Sequence, residues 1–265
     1  MPNRIEATFA KLRAENRAAF IPYICAGDPT LAQTVRIAGA LIEAGADLLE
    51  LGVPFSDPLA DGVVNQLAAQ RALNAGATIR GVLDCVAEIR KNSDRPVVLY
   101  TYLNPIVQFG WEAFHAEANR VGVDGLLILD LPPDEEYRTS NDVAHIRLVA
   151  PTTSSARLAQ IAKHAAGFIY YVSREGVTGV RDQVAGNIPQ MMTRIRAHAK
   201  LPTVVGFGIS TRAQVAEVAA HADGVVVGSA LVNCIRDHLG ERAKIAPAIA
   251  ARAADLSAGV RLKKA

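Results

Sequence analysis

Residues 19–52 read AFIPYICAGDPTLAQTVRIAGALIEAGADLLELG. A short apolar run, AFIPYICA from Ala19, gives way to LAQTVRIAGALIEAG, whose apolar residues recur at helical spacing. A second short run, LLELG from Leu48, follows. Both runs are largely apolar on both faces, as in strands covered from two sides. Strand, helix, strand in this order is the unit that builds a parallel sheet.

The unit recurs along the chain. PVVLYTYL from Pro96, GLLILD from Gly125, IRLVAP from Ile146, FIYYVS from Phe168, TVVGFG from Thr203 and GVVVGS from Gly224 bring the short runs to eight. Thr30, and Ser210 or Thr211, stand where helix N-caps belong. AGADLLELG (44–52), VGVDGLLILD (121–130) and AHADGVVVGS (220–229) share a small residue, a spacer, an Asp and a strand. We read this repeat as turn chemistry where a helix hands over to a strand. Eight such units predict a closed α/β barrel, the (β/α)8 or TIM barrel, as one domain over residues 1–265. An extra helix is expected before the first strand and an additional one after the second.

Composition narrows the function. Half the residues are hydrophobic and 5% aromatic, which suits Ala-rich helices on a buried sheet. A net charge of +2 with no Lys/Arg block argues against nucleic acid. Cys25, Cys85 and Cys234 are widely spaced, as expected of reduced thiols in the cytoplasm. No C-x-x-C or His/Cys cluster has metal-site spacing, so no metal is expected, and the six His are read as structural or solvated. The N-terminal stretch is amphipathic rather than a signal peptide, and no apolar run is long enough to span a membrane.

Four places carry candidate chemistry. Glu50 interrupts a strand of leucines and shares its parity with Leu48 and Gly52. Facing the barrel interior, its carboxyl would have a raised pKa and serve as acid and base; the alternative is a structural carboxylate bonded to a backbone amide. The loop VPFSDPLADG (53–62) is stiffened by two prolines and carries Asp57 and Asp61, which by themselves read as turn formers. Gly206-Phe207-Gly208 and Gly228-Ser229 end the last two strands, where barrels cradle phosphate on bare backbone and a helix N-terminus. After the sixth strand, in which either Tyr170 or Tyr171 faces inward, the loop holding Arg174, Gly176, Thr178 and Gly179 reads as a lid.

PYICAGDP (22–29), LELGVPFSDPLADG (49–62), YLNPI (102–106), DGLLILDLPPDE (124–135), LVAPTT (148–153), YVSREGVTG (171–179), GFGIS (206–210) and GSALV (228–232), in this order, resemble the tryptophan synthase alpha chain family along nearly the whole sequence. The resemblance implies a lyase of tryptophan biosynthesis that splits indole-3-glycerol phosphate into indole and glyceraldehyde 3-phosphate. By position in these motifs it makes Glu50 the general acid/base, Asp61 the acceptor for the indole N–H, and Tyr170 a residue that helps position this carboxyl chemistry. It assigns phosphate to Gly179, Gly208, Gly228 and Ser229, the indole pocket to Tyr23, Leu127 and Val149, and lid closure towards Asp61 to Thr178. It implies no cofactor in this chain, with pyridoxal phosphate held by a beta subunit in an alpha2beta2 heterotetramer.

The chain departs from the family's pattern in places. Val63 stands where Pro is usual, Asn65 where an apolar residue is common, Cys25 for a Thr and Ser154 for a Pro; the segment 133–145 is short, so its helix is expected to be a turn or two. Two other functions fit the same motifs: a stand-alone indole-producing lyase, and a non-catalytic subunit that activates a beta chain.

Overall fold

A computed structural model of the chain describes residues 3–132, 143–173, 188–206 and 208–260. Helix α1 (Arg4–Ala14) comes first, capped by the Asn3 side chain on the Ile5 amide. Then follow β1 (Ala19–Cys25), α2 (Leu31–Glu43), β2 (Leu49–Gly52), α3 (Val63–Asn74), α4 (Ile79–Arg90) and β3 (Val97–Thr101). The middle of the chain gives α5 (Leu103–Phe109), α6 (Trp111–Val121), β4 (Gly125–Ile128), β5 (Ala144–Val149), α7 (Ser155–His164) and β6 (Ile169–Val172). The last part gives α8 (Ile188–His198), β7 (Thr203–Gly206), α9 (Arg212–Ala219), β8 (Gly224–Val227), α10 (Ser229–Asp237), a 3-10 helix (Leu239–Lys244) and α11 (Ile245–Ser257). The eight strands close into a barrel in sequence order, all pairs parallel, with β1 against β8. The extra first helix and the added helix after β2 are both present, as expected; a fourth-strand helix falls outside the described residues.

Alternation along each strand sorts the core into two layers. Ile21 and Tyr23, Leu48, Val98, Leu127, Ile146, Tyr170, Val204 and Val226 pack inside the barrel. Their neighbours Phe20 and Ile24, Leu49 and Leu51, Leu99, Leu126, Tyr171, Val205 and Val225 pack outward against the helices. Both faces of most strands are thereby removed from water, which explains their apolar runs; β5, with His145, Arg147 and Leu148 partly exposed, is the exception. Ile5, Phe9 and Leu12 of α1 belong to the interior layer, and Phe9 meets Phe168 at 5.8 Å between ring centroids. They close the end of the barrel where the strands begin.

The repeated aspartates do one job three times. Asp47, Asp124 and Asp223 each donate a backbone N–H to Phe20, Val97 and Thr203 in the strand before, at 2.8–2.9 Å. Each carboxylate accepts the N–H of that same residue, at 2.9, 2.8 and 2.9 Å. The turn is thus pinned to its neighbour by one residue's main chain and side chain together.

His115 on α6 and His145 on β5 stack with ring centroids 5.2 Å apart and Nε2 atoms 3.1 Å apart. The Trp111 carbonyl, 2.8 Å from His115 Nδ1, can only accept, so His115 Nε2 accepts from His145. Burial lowers both pKa values, and that of His145 falls to about 4 from an ordinary 6.5. Between those values the unfolded chain binds a proton that the folded chain refuses, so stability is lost as the pH falls through this window. Urea unfolding followed from pH 7 to pH 4 is expected to show a falling midpoint, and His145→Asn to flatten that fall.

Candidate active site

Glu50 lies on the inward face of β2, 1% exposed, its Cα in register with Tyr23 of β1 and Val98 of β3. One position further along the same face, Gly52 leaves room for Tyr23: a Cβ there would stand 2.4 Å from the phenol oxygen. Among the described residues Glu50 has no ion pair, and its Oε1 has no hydrogen-bond partner. Burial, and then the nearby charge of Asp61, hold its pKa at about 8. A carboxyl so placed keeps its proton at neutral pH and can give it up at a modest cost, which is what an acid/base needs.

Asp61 ends the loop between β2 and α3 and is 6% exposed. Its side chain does not make the turn that Asp before Gly suggests. Tyr100 donates to Oδ1 at 3.0 Å and Tyr102 to Oδ2 at 2.8 Å, while the Asn65 amide stands 3.5 Å from Oδ1. The Tyr102 hydroxyl also accepts the Ala60 N–H at 3.0 Å, tying the loop to the end of β3. Burial raises the pKa of Asp61 and the hydrogen bonds from Tyr102, Tyr100 and Asn65 oppose it. Asp57, by contrast, is exposed.

Three phenols stand around the two carboxyls. Tyr23, Tyr100 and Tyr170 face the interior, whereas Tyr171 packs outward. Tyr23 and Tyr100 meet edge to face at 5.2 Å. Tyr170 leans over Gly206, where a Cβ would lie 2.0 Å from its oxygen. Burial raises the pKa of all three, so they are neutral donors. Tyr100 and Tyr170, with Leu129, Leu148, Val149 and Val172, help wall a cavity of about 460 Å³ at the strands' C-terminal rim. Glu50 does not itself reach that wall. Leu127 is fully buried in the interior layer, in register with Tyr100; Val149 packs into the outer layer and meets the cavity from there.

On the opposite side of the rim, Gly208 has a φ of 73°, a backbone that side chains resist. Gly228 caps α10 without a side-chain hydrogen bond, and Ser229 is exposed at that helix start. A helix leaves its first N–H groups unused, and its dipole favours an anion there. A Cβ at Gly228 would press to 3.2 Å on Tyr23, so the start of α10 lies against the tyrosine ring. Gly179, with Arg174, Gly176 and Thr178, lies outside the described residues.

Sequence reasoning passed over Tyr100 and Tyr102. Their signal was two polar aromatics at i and i+2 where a strand ends, both on the inward parity. The departures have local explanations: Ser154 caps α7 on the Arg157 amide at 3.3 Å, and Cys25 is buried inside the barrel. No contact within the chain explains Val63, which is 65% exposed at the start of α3.

The family model described as tryptophan synthase alpha chain matches residues 9–261. The tryptophan synthase alpha chain of Opitutus terrae is 55% identical over 98% of this chain and 99% of its own length. That of Caulobacter vibrioides is 46% identical over 98% and 96%. Among solved structures, tryptophan synthase of Mycobacterium tuberculosis superposes with a TM-score of 0.90 at 37% identity, covering 99% of this chain and 100% of the other. The alpha subunit from Legionella pneumophila gives 0.86 at 39%, covering 98% and 99%. The matches run from end to end, and the chain belongs to the tryptophan synthase alpha chain family.

Proposed function

We propose that this chain, a lyase by its family, cleaves indole-3-glycerol phosphate with Glu50 as the proton carrier and Asp61 as the reader of the ring nitrogen. Glu50 gives its proton to C3 of the indole ring. Positive charge then builds at the ring nitrogen, whose N–H points to the Asp61 carboxylate. A base removes the proton from the hydroxyl on the carbon joined to the ring, the C–C bond breaks, and its electron pair returns to the ring. Indole and glyceraldehyde 3-phosphate are the products. Glu50, once deprotonated, fits the second transfer. The phosphate rests on Gly208, Gly228 and Ser229, with Gly179 added by the family motif. The observation that carries this reading is the buried carboxyl of Glu50, which has no ion pair and no hydrogen-bond partner on Oε1 among the described residues.

A companion chain belongs to the same proposal. Leu59, Val63, Leu67 and Val107 are large apolar side chains left exposed, Leu59 at 88%. Val63 and Leu67 are one turn apart on α3, Leu59 lies in the loop before it, and Val107 is on α5. Apolar exposure of this kind marks a docking face. Because Tyr102, at the head of α5, bonds both Ala60 and Asp61, pressure on this face reaches the carboxylate through one phenol. The partner we propose is the beta subunit, which carries the pyridoxal phosphate, in a two-plus-two assembly. A cytoplasmic setting agrees with the three free thiols.

Purified chain supplied with indole-3-glycerol phosphate is expected to release indole slowly alone and faster with a beta subunit. A high rate alone with no complex on size exclusion would instead mark a stand-alone lyase. No indole, with a partner still stimulated, would mark a binding subunit and end the catalytic reading.

A further inference from the structure

We infer that Tyr100 is a positioning residue for the cleavage, its phenol aiming the Asp61 carboxylate at the substrate ring from the pocket wall above Glu50. The inference rests on the acid–base reading of the site and adds a residue to it.

The geometry singles out this side chain. Tyr100 pairs with Gly52 across β2 and β3, one inward position beyond the pairing of Glu50 with Val98. It therefore stands over Glu50 on the neighbouring strand, and it also walls the cavity. Its hydroxyl donates to Asp61 Oδ1 at 3.0 Å, while Tyr102 holds Oδ2 at 2.8 Å. A carboxylate gripped by one oxygen turns about its Cβ–Cγ bond. Gripped by both, its plane is fixed, and each oxygen keeps a lone pair for an incoming N–H. Without Tyr100, Oδ1 would keep only the Asn65 amide at 3.5 Å, beyond ordinary N–H···O distances. The edge-to-face contact with Tyr23 at 5.2 Å holds the Tyr100 ring in turn. Asp61 is faced by Tyr100 and Tyr102 from β3 and its end, by Asn65 from α3, and through space by Glu50, Tyr23 and Tyr170.

Tyr100→Phe keeps the ring and removes only the donor. A hydrogen bond to a charged group of this kind corresponds to a fall of about 10–100-fold. That fall is expected in kcat for indole release, with KM changed far less, since the aim of Asp61 matters most when charge has built on the ring. The acid limb of the kcat profile is expected to move to higher pH. The phenol favours the ionised form of Asp61, so without it protonation sets in earlier as the pH falls. In an Asp61→Asn background the Tyr100→Phe change is expected to add almost nothing, because the residue acts through Asp61.

Wild-type kcat and an unmoved acid limb in Tyr100→Phe would overturn the inference. So would a fall that multiplies in full with that of Asp61→Asn, which is how a merely structural loss behaves. Normal release from Glu50→Gln would sink the acid–base reading and this inference with it. Normal release from Tyr100→Phe alone sinks only the inference.

Discussion

Replacing Glu50 by Gln is expected to cut indole release by about 10²–10⁴-fold, the usual worth of a positioned acid/base. Gln has nearly the same shape and has no proton of this acidity to give. The loss should fall on kcat, with binding of indole-3-glycerol phosphate little changed. The fold should not suffer. The Glu50 pKa rises from 4.5 to about 8 on folding, so between those values the folded chain keeps a proton that the unfolded chain gives up. Stability therefore falls as the pH rises through this window, and a neutral Gln escapes the penalty. Glu50→Gln is expected to unfold at the same or a higher denaturant concentration than the parent at pH 8. Lost activity with lost stability would point to a structural carboxylate and away from a proton carrier.

Asp124→Ala is expected to cost about 3–5 kcal/mol of stability. Its Oδ2 accepts the Val97 N–H at 2.8 Å and an Arg90 guanidinium N–H, and its Oδ1 accepts from Arg4 at 3.0 Å. The Arg90 side chain is only 10% exposed, and its pKa is already lowered by burial. Removing the carboxylate strands that charge inside the protein. Asp223, which makes the same bond to Thr203, has a half-exposed Arg196 at 3.5 Å where Asp124 has a guanidinium that is 10% exposed. Asp223→Ala is expected to cost about 1–2 kcal/mol. Urea unfolding of the two variants side by side checks the difference. Equal losses would mean that the shared turn, and not the buried pair, sets the cost.

The threonine and aspartate signals that organise this barrel stand at the element ends they secure, although each aspartate bonds a residue 20 to 27 positions back. Thr30 and Thr211 cap α2 and α9, as expected. The thrice-repeated Asp before a strand pins that turn to the strand before it. Strand number, order and the two-faced burial follow from period and composition. Glu50 was legible as an anomaly, because a carboxylate among leucines has few bland explanations. Asp61 was not: on sequence alone it is one more Asp before a Gly, and its partners are tyrosines about forty residues on. The choice between Tyr170 and Tyr171 was equally closed, since adjacent residues of a strand split between its faces and nothing local says which face is inside.

The sequence by itself determined the barrel: eight short runs with helices between them, the caps, the turns, and the family whose motifs they carry. It did so because periodicity marks the strands and helices, and because caps and turns are marked by the residue types found at their own positions. Only the tertiary structure decided that Glu50 has no ion pair among the described residues, that Asp61 is gripped from both oxygens, and that Tyr100 supplies one of those grips. Each of these depends on which side chains from distant strands meet once the barrel closes, and on how much water that closure removes. Burial and long-range pairing set the proton affinities here, and neither is a property of any segment taken alone.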